Sequence, residues 1–326
     1  MAADGDNIIW FTYTGAEREL IPDEATHILV LARVVRARAF FMHHNIIEVI
    51  CDEMVEKIEE RAFDDCTSLR RVIMPGVKIV EKYAFWNCSA LEDVECDKLE
   101  IVGHSAFGWC VSLRSINLPS ARFVKNKAFG ICFALTYVKF GSKLERIEEG
   151  AFRNCDLERI TIPLKDGLIT NHYNIFQHCN NLHQVDLIEG ELHETISALH
   201  LEDWRNDMNE EIDSINQTLP NALACYYISD DEESPCEKAQ AIRRWIRSVL
   251  HKIIHYQEEH QRLLNEAATV LQLVLPNDIV MDNVLPFLEL PSYTFQVGDD
   301  EDEDDSDNDT QLVELLRIDD RDDEEE

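Results

Sequence analysis

Apolar positions recur along the first half of the chain with a period of 22 or 23 residues. The segment Ile58–Cys66 has the form Ile/Val-x-x-x-Ala-Phe-x-x-Cys, in which x is any residue. The same form returns four more times, at Val80–Cys88, Val102–Cys110, Val124–Cys132 and Ile147–Cys155. A fixed period of this length predicts a solenoid, because each unit is too small to bury its own apolar face and must stack on its neighbours.

The second half of each unit alternates between apolar and polar residues. Leu69 follows Cys66, a β-branched residue comes three positions later at Val72, and the next inward position is Met74. A period of two is typical of a short strand whose alternate side chains point inward. A proline ends this strand in alternate units, at Pro75, Pro119 and Pro163. Stacked units of 22–24 residues therefore predict a curved parallel β-sheet with about 4.8 Å between strands.

Together, these elements give the repeat pattern Ile/Val-x-x-x-Ala-Phe-x-x-Cys-x-x-Leu-x-x-Val/Ile-x-Leu-Pro. This pattern resembles that of the BspA-type leucine-rich repeat family. The resemblance covers roughly residues 30–190. It implies an α/β repeat fold, a leucine-rich-repeat solenoid used for protein recognition or adhesion, and it brings no catalytic residues. We place the solenoid at residues 31–190 and a cap with a degenerate first unit at residues 1–30, where Ile8–Tyr13 is β-prone and Gly15 marks a turn.

The pattern weakens at both ends of this region. The unit around Phe40 has His43 at the cysteine position. Near the other end, Cys155 and Leu157 stand one residue closer than in the sister units. Ile175 replaces the alanine of the unit around Phe176, and Lys165–Thr170 is an insertion. We expect the solenoid to be distorted near its C-terminal end.

After Gly190 a helical pattern replaces the repeat, and it predicts a C-terminal helical hairpin cap over residues 191–297. The first helix carries an apolar stripe and ends at Pro220; the stripe comprises Leu201, Trp204, Met208, Ile212, Ile215 and Leu219. Ser234–Glu237 forms a capping box that starts a second helix, which runs to Leu275. Its apolar positions are Ile242, Trp245, Ile246, Val249, Ile253, Leu263, Leu264, Ala267, Val270, Leu271 and Val274. We expect this antiparallel pair to cover the last coil, and residues 279–295 to cross it as an extended strap.

Charge is distributed very unevenly along the chain. The formal net charge is −34, and residues 299–326 carry 17 acidic and 2 basic side chains, so −15 lies in that tail and −19 elsewhere. The composition of residues 298–326 predicts a disordered acidic tail. Such a negative field disfavours nucleic acid and anionic membranes and favours basic partners. The N-terminus has no signal-peptide pattern and no apolar run reaches membrane-spanning length, which predicts an intracellular protein, cytoplasmic or nuclear.

The outward strand positions are the predicted binding surface. They form two columns of mixed chemistry on the concave side, with acids first, then tyrosine and lysine, then arginine, which suits a polypeptide better than a polyanion. The alternative is a solvated face selected only for solubility. The partner-binding candidates are Arg71, Ile73, Asp93, Glu95, Ser115, Asn117, Tyr137, Lys139, Arg159, Thr161, Gln184 and Asp186.

Six of the ten cysteines hold the fixed repeat position, at Cys66, Cys88, Cys110, Cys132, Cys155 and Cys179. We interpret them as buried core thiols, since parallel thiols one coil apart do not have the crossed geometry of a disulfide and no CxxC pair exists for zinc. The histidines lie on different coils beside no common acid or nucleophile, at His43, His44, His104, His172, His178 and His183. Neither a metal site nor a catalytic site is expected.

Three further segments carry weaker signals. A basic cluster on the second helix is either paired with the acidic segments of the chain or open to an acidic partner; it comprises Lys238, Arg243, Arg244, Arg247 and Lys252. Leu312–Leu316 matches the LxxLL form of a short docking helix. Ser229 and Ser306 lie in acidic phosphorylation contexts.

These observations predict a monomeric, non-enzymatic scaffold that binds a polypeptide through the concave strand face and needs no cofactor. An alternative is an acidic-tail chaperone or adaptor that captures basic proteins such as histones. An unrecognised enzyme is the least favoured reading.

Overall fold

Two stacks of short parallel strands build the repeat region of the computed structural model. The structure describes residues 8–16, 19–169, 174–188, 196–197, 199, 201–222 and 237–273. The predicted acidic loop and capping box before residue 237, the strap at 279–295, the acidic tail, Leu312–Leu316, Ser229 and Ser306 all lie outside the described residues.

The first stack, the strand face of the solenoid, contains nine strands. They are β1 (Trp10–Tyr13), β2 (His27–Val30), β4 (Glu48–Cys51), β6 (Arg71–Ile73), β8 (Asp93–Glu95), β10 (Ser115–Leu118), β12 (Tyr137–Phe140), β14 (Arg159–Ile162) and β15 (Gln184–Leu187). Neighbouring strands pair in parallel as two hydrogen-bonded sheets, β1-β2-β4-β6-β8 and β10-β12-β14-β15. β8 and β10 lie side by side without a ladder, so the sheet has a seam between them. The predicted parallel solenoid is confirmed.

The second stack consists of two-residue strands that follow each coil corner. They are β3 (Val34–Val35), β5 (Lys57–Ile58), β7 (Ile79–Val80), β9 (Ile101–Val102), β11 (Phe123–Val124) and β13 (Arg146–Ile147). They form one six-stranded parallel sheet. The insertion after Pro163 extends this stack by an isolated parallel bridge between Ile147 and Ile169. The coil there is longer than its sisters, yet it remains in register with them.

The repeated phenylalanines form a continuous stack through the core. Successive rings are parallel to within 2–9°, and their centroids lie 4.7 Å apart at Phe40–Phe63 and 5.9 Å apart at Phe152–Phe176. The intermediate steps widen in chain order, from 5.1 Å to 5.5 Å. Ile175 is fully buried in the place of the repeated alanine. The last step continues the gradual widening of the stack, and the distortion expected near the C-terminal end stays a prediction.

The repeated cysteines lie in the core with a constant hydrogen bond. Each thiol donates to the backbone carbonyl of the phenylalanine one coil earlier, at 2.9–3.3 Å, from Cys66 on Phe40 to Cys179 on Phe152. All eight cysteines among the described residues are buried and free. The predicted thiol ladder is confirmed, and its regularity follows from one packing problem that every coil solves in the same way.

Each coil reverses at two positions with left-handed backbone. The first is two residues before the phenylalanine, as at Tyr83 (φ 57°), and the second is two residues after it, as at Trp109 (φ 62°). Asparagine or aspartate holds the second position in three coils, at Asp65, Asn87 and Asn154, and these residues adopt that conformation readily. Ile131 (φ 65°) is β-branched there, which costs conformational energy.

Two antiparallel helices follow the last coil, as predicted. They are α1 (Glu202–Thr218) and α2 (Glu237–Gln272), and a 3-10 turn, Leu219–Asn221, ends the first helix at the predicted proline. The side chain of Asn216 accepts a hydrogen bond at 2.9 Å from the backbone N–H of Val185, in β15. The Nζ atom of Lys238 donates to the carbonyls of Asn180 and Leu182 at 2.8 and 2.7 Å. The helices therefore cover the exposed edge of the last coil.

The predicted apolar stripes are wrong at three positions. Leu201 is 46% exposed because it precedes α1 in an extended conformation and does not share the helix face. On α2, Leu263 and Val270 are 38% and 62% exposed. With 36 residues against 17, α2 is about 54 Å long and α1 about 26 Å, so α1 cannot cover the C-terminal half of α2. None of the described helices is long and apolar enough to span a bilayer.

Candidate functional site

The strand face carries two columns of outward side chains, which are in register within each of the two sheets and are divided by the seam between β8 and β10. The first column runs through His27, Glu48, Arg71 and Asp93, and then through Ser115, Tyr137, Arg159 and Gln184. The second runs through Leu29, Ile50, Ile73 and Glu95, and then through Asn117, Lys139, Thr161 and Asp186. All twelve residues predicted from alternation lie in these columns, and their role in partner binding stays a prediction.

The sequence reasoning missed the first three rows of the same surface. Trp10 begins the first column, 52% exposed, and its ring lies 5.0 Å from that of His27. Leu29, Ile50 and Ile73 are half-buried and form an apolar strip beside it. The alternation of Ile28 and Val30, both fully buried, was the available signal, but the first units lack the repeated cysteine that defines the register later.

An acidic cluster surrounds Arg71 on β6, the fourth of the five strands of the N-terminal sheet. The guanidinium lies 3.2 Å from Asp93 and 3.8 Å from Glu48, and it also bonds Glu95. One arginine thus meets three carboxylates, so the cluster carries a formal charge of about −2 when all are ionised. The carboxylates of Asp93 and Glu95 are more than half exposed, and they offer free oxygen lone pairs to a basic ligand.

A second network occupies the C-terminal rows. Arg159 bonds Asp186, and its guanidinium lies 5.5 Å from the centre of the Tyr137 ring. The Tyr137 hydroxyl is 3.2 Å from that of Thr161, and Gln184 donates to Asp186 at 3.0 Å. Thr161 is only 7% exposed, so this predicted contact residue is buried in the network. These interactions fix the side chains of the last three rows.

Between the two networks lies a row of exposed polar groups. The side chains of Ser115, Asn117 and Lys139 are exposed and make no hydrogen bond or ion pair with any described residue. They lie on β10 and β12, the first two strands after the seam between β8 and β10. This row, the open row, offers a hydroxyl, an amide and an ammonium group at the centre of the face.

The predicted basic cluster on α2 is largely occupied within the described residues. Arg247 pairs with Asp166 at 3.2 Å, and Lys252 pairs with Asp207 at 2.9 Å and Glu211 at 3.2 Å. Lys238 is 3% exposed on backbone carbonyls, as described above. The cluster therefore pairs with α1 and with the insertion at 165–169. The acidic loop and tail, which the sequence suggested as partners, lie outside the described residues.

The chemistry of the strand face is suited to binding. Among the described residues it carries one histidine, His27, whose Nδ1 lies 2.9 Å from the Thr26 hydroxyl and whose Nε2 lies 3.9 Å from Glu48. No group of three histidine, cysteine or acidic side chains within the described part of the chain could hold a metal ion. The face instead combines an apolar strip, an acidic cluster and an open polar row.

Comparison with known proteins identifies the repeat. The model of the BspA type leucine rich repeat region matches residues 34–122 and 100–203, in six copies. Among solved structures, a leucine-rich repeat protein of T. pallidum is 21% identical, with a TM-score of 0.37 over 54% of this chain and 73% of that one. One from Bacteroides ovatus is 20% identical, with a TM-score of 0.33 over 50% of this chain and 61% of that one. No curated protein matches the chain.

Proposed function

The chain belongs to the BspA-type leucine-rich repeat family, and on that premise we propose that it is a non-enzymatic scaffold that binds a polypeptide partner through its strand face. The observation that carries this proposal is the open row. Ser115, Asn117 and Lys139 are exposed and unpaired among the described residues, while the rows on either side are fixed by ion pairs. A preorganised surface with unsatisfied polar groups at its centre binds with little ordering cost.

The surface chemistry defines the kind of partner segment. Apolar side chains fit the strip of Leu29, Ile50 and Ile73. A lysine or arginine fits the acidic cluster around Arg71, and an acceptor-bearing side chain fits Lys139. The partner segment thus presents apolar, basic and acidic or amide groups in that order along the solenoid axis.

A matched pair of charge reversals tests the proposal. Lys139 lies in the open row, whereas Lys143 is an exposed lysine four residues later, off the strand face. The full-length chain is immobilised as wild type, as Lys139→Glu and as Lys143→Glu. A cell lysate is passed over each, and the proteins that each retains are quantified by mass spectrometry. We expect Lys139→Glu to lose proteins that the other two retain, by about tenfold or more. Equal retention by all three would overturn binding at this row.

A second candidate function rests on composition. Residues 299–326 carry 17 acidic and 2 basic side chains, which favours capture of basic proteins such as histones. This function requires binding to a purified histone that weakens steeply with salt and disappears when residues 299–326 are deleted. Binding that survives the deletion would exclude it and would leave the strand face as the binding surface.

We also propose an intracellular location. The eight described cysteines are buried free thiols, which is typical of proteins in a reducing compartment. Fractionation of cells that express the full chain tests this point, with recovery in the soluble cytoplasmic or nuclear fraction as the expected result. Recovery in the medium or on the cell surface would contradict it.

A further inference from the structure

A groove of about 370 Å³ crosses four successive coils on their turn segments, away from the strand face. Arg61, Tyr83, Ser105 and Lys127 hold one repeat position in these coils, all with left-handed backbone, and they line the groove lengthwise. Trp86 and Trp109 also line it. The residues of this turn groove lie between the repeated core positions, where the units differ from each other.

The two tryptophans form an aromatic corner. Their rings are edge to face, with centroids 6.5 Å apart and planes at 61°. Trp109 is 43% exposed and sits at the left-handed position that asparagine or aspartate holds in three other coils. The left-handed backbone is energetically unfavourable for a tryptophan, and neither core packing nor the turn requires a tryptophan at this position.

A glycine keeps the floor of the corner open. A Cβ atom at Gly108 would lie 3.1 Å from the Cδ1 atom of Trp86, and even alanine would therefore press on that ring. The two preceding units carry larger side chains at the same position, Asp64 and Trp86 itself, while the next unit also has a glycine, Gly130. The absence of a side chain at position 108 leaves open space beside the Trp86 ring.

The turn groove presents hydrogen-bond donors, and its one imidazole, His104, lies 3.1 Å through Nε2 from the Tyr83 hydroxyl. Neither indole N–H, of Trp86 or of Trp109, has an acceptor among the described residues. The one carboxylate, Asp64, is 2% exposed and accepts from Arg61 at 3.3 Å, and burial raises its pKa. The guanidinium of Arg61 lies 4.9 Å from the centre of the Tyr83 ring, so that ring already has a cation over it. A ligand here must supply acceptors and an apolar surface.

The charges of the turn groove narrow the class of ligand. Arg61 and the exposed Lys127, which has no acidic partner in the described part of the chain, disfavour a cation. The net charge of −34 disfavours a polyanion such as nucleic acid. What remains is a largely neutral, acceptor-rich apolar segment. Proline residues meet this description, because they have carbonyl acceptors but no N–H donor.

The dimensions agree with a polyproline II helix. Four coils are separated by three steps of about 4.8 Å, or about 14 Å in total. A polyproline II helix rises about 3.1 Å per residue, so about five residues span the groove, with carbonyls directed outward. Aromatic-lined shallow grooves are a recurrent way of binding such segments.

We propose that the turn groove binds a proline-rich segment of a partner protein in the polyproline II conformation. The proline rings pack on Trp86 and Trp109, the two indole N–H groups donate to segment carbonyls, and an acidic residue beside the prolines pairs with Lys127. This site is separate from the strand face, and its test does not depend on the outcome there.

Indole N–H signals of the full-length protein provide the test. The chain has five tryptophans, and Trp245 serves as an internal reference because its Nε1 donates to the Glu211 carbonyl at 2.8 Å. Three blocked peptides are titrated: oligoproline flanked by glutamates, oligoproline flanked by lysines, and a glycine-serine chain flanked by glutamates. We expect saturable shifts of the Trp86 and Trp109 signals with the first peptide, weaker binding of the second and none of the third.

Variants then identify the site. Trp109→Ala is expected to weaken binding of the glutamate-flanked oligoproline by about tenfold or more. Gly108→Ala is also expected to weaken it, because the added Cβ atom occupies the space beside the Trp86 ring. Phe133→Ala is the matched control, since Phe133 is also an exposed aromatic residue (57%) and lies outside the groove. Lys127→Glu is expected to reverse the preference between glutamate and lysine flanks.

Three outcomes would overturn the proposal. The first is that Trp109→Ala and wild type bind the glutamate-flanked oligoproline equally. The second is that wild type binds the glycine-serine peptide as tightly as it binds that oligoproline. The third is tighter binding of a peptide of residues 284–291, which contains Pro286, than of oligoproline; the occupant would then be this chain's own segment.

Discussion

The Sγ atom of Cys88 lies 3.2 Å from the carbonyl oxygen of Phe63, one coil earlier, and its thiol donates to that oxygen. The same carbonyl also accepts the backbone N–H of Cys66 at 3.3 Å, so the thiol bonds its second lone pair. The contact holds the thiol in its protonated form, because a thiolate cannot donate. The thiol ladder therefore links the stability of the solenoid to pH.

Alkaline pH should destabilise the fold through these thiols. Burial raises the pKa of Cys51, Cys96 and Cys179 to about 12 and raises the pKa of Cys66, Cys88, Cys110 and Cys155 strongly. A raised folded-state pKa gives stability that is complete below the unfolded value of about 8.5 and is lost as the pH rises toward the folded value. Each such thiol should cost about 1.4 kcal/mol per pH unit in that window.

The variant Cys88→Val isolates one thiol of the ladder. Urea unfolding from pH 7 to 10 should show a free energy of unfolding that falls above about pH 8.5 in wild type. The slope should be shallower by about 1.4 kcal/mol per pH unit in the variant. Identical slopes for the two proteins would show that Cys88 does not link folding to pH.

The phenylalanine stack should dominate core stability. Phe107 is fully buried between Phe85 and Phe129, and Phe107→Ala should lower the free energy of unfolding by about 3–5 kcal/mol. Phe133 is 57% exposed, and Phe133→Ala should change it by no more than about 0.5 kcal/mol. Chemical denaturation followed by circular dichroism measures both. A loss below about 1 kcal/mol for Phe107→Ala would contradict the stacked core.

Relief of backbone strain at Ile131 should stabilise the protein. Its φ of 65° is unfavourable for a β-branched residue, whereas Asn154 occupies the equivalent position of the next coil with φ 58°. Ile131→Asn should raise the free energy of unfolding by about 1 kcal/mol, seen as a higher melting temperature in calorimetry. Asn154→Ile is the reciprocal control and should lower it. A fall in melting temperature for Ile131→Asn would refute the strain argument.

Lys238 should stabilise the packing of the two helices on the last coil. Its Nζ donates to the carbonyls of Asn180 and Leu182, and Lys238→Met leaves both acceptors unsatisfied at a cost of about 1–3 kcal/mol. Hydrogen exchange should therefore accelerate in β15 and the first turns of α2. Lys143→Met, at an exposed lysine, is the control and should leave exchange there unchanged. Uniform acceleration over the whole solenoid would argue against a local fastening role.

The sequence predicted the strand face and the repeated core of this fold, and it missed the second stack and the contacts between distant segments. Alternation at Val72, Val94 and Ile116 placed the strand face correctly, because one buried side chain per coil fixes the register. Two-residue strands such as Ile79–Val80 contain no measurable period, so the second stack was not predicted. The pairing of Arg247 with Asp166 was not predicted because 81 residues separate them.

The turn groove was missed for a related physical reason. Trp86 and Trp109 lie at positions where the units disagree, and only the left-handed turns bring them together across two coils. A sequence scan registers such residues as exceptions to the repeat. In a solenoid, the positions at which the units differ are those whose residue type is not fixed by core packing.

Site-specific crosslinking tests binding at the strand face most directly. A photoreactive benzoylphenylalanine is placed at Asn117, in the open row, or at Lys143, off the face, in the full-length chain, and cells are irradiated. We predict crosslinked polypeptides from position 117 that are absent from position 143 and that disappear when Lys139→Glu is added. Crosslinks of equal yield from both positions, or none from position 117, would contradict the assignment of partner binding to this face.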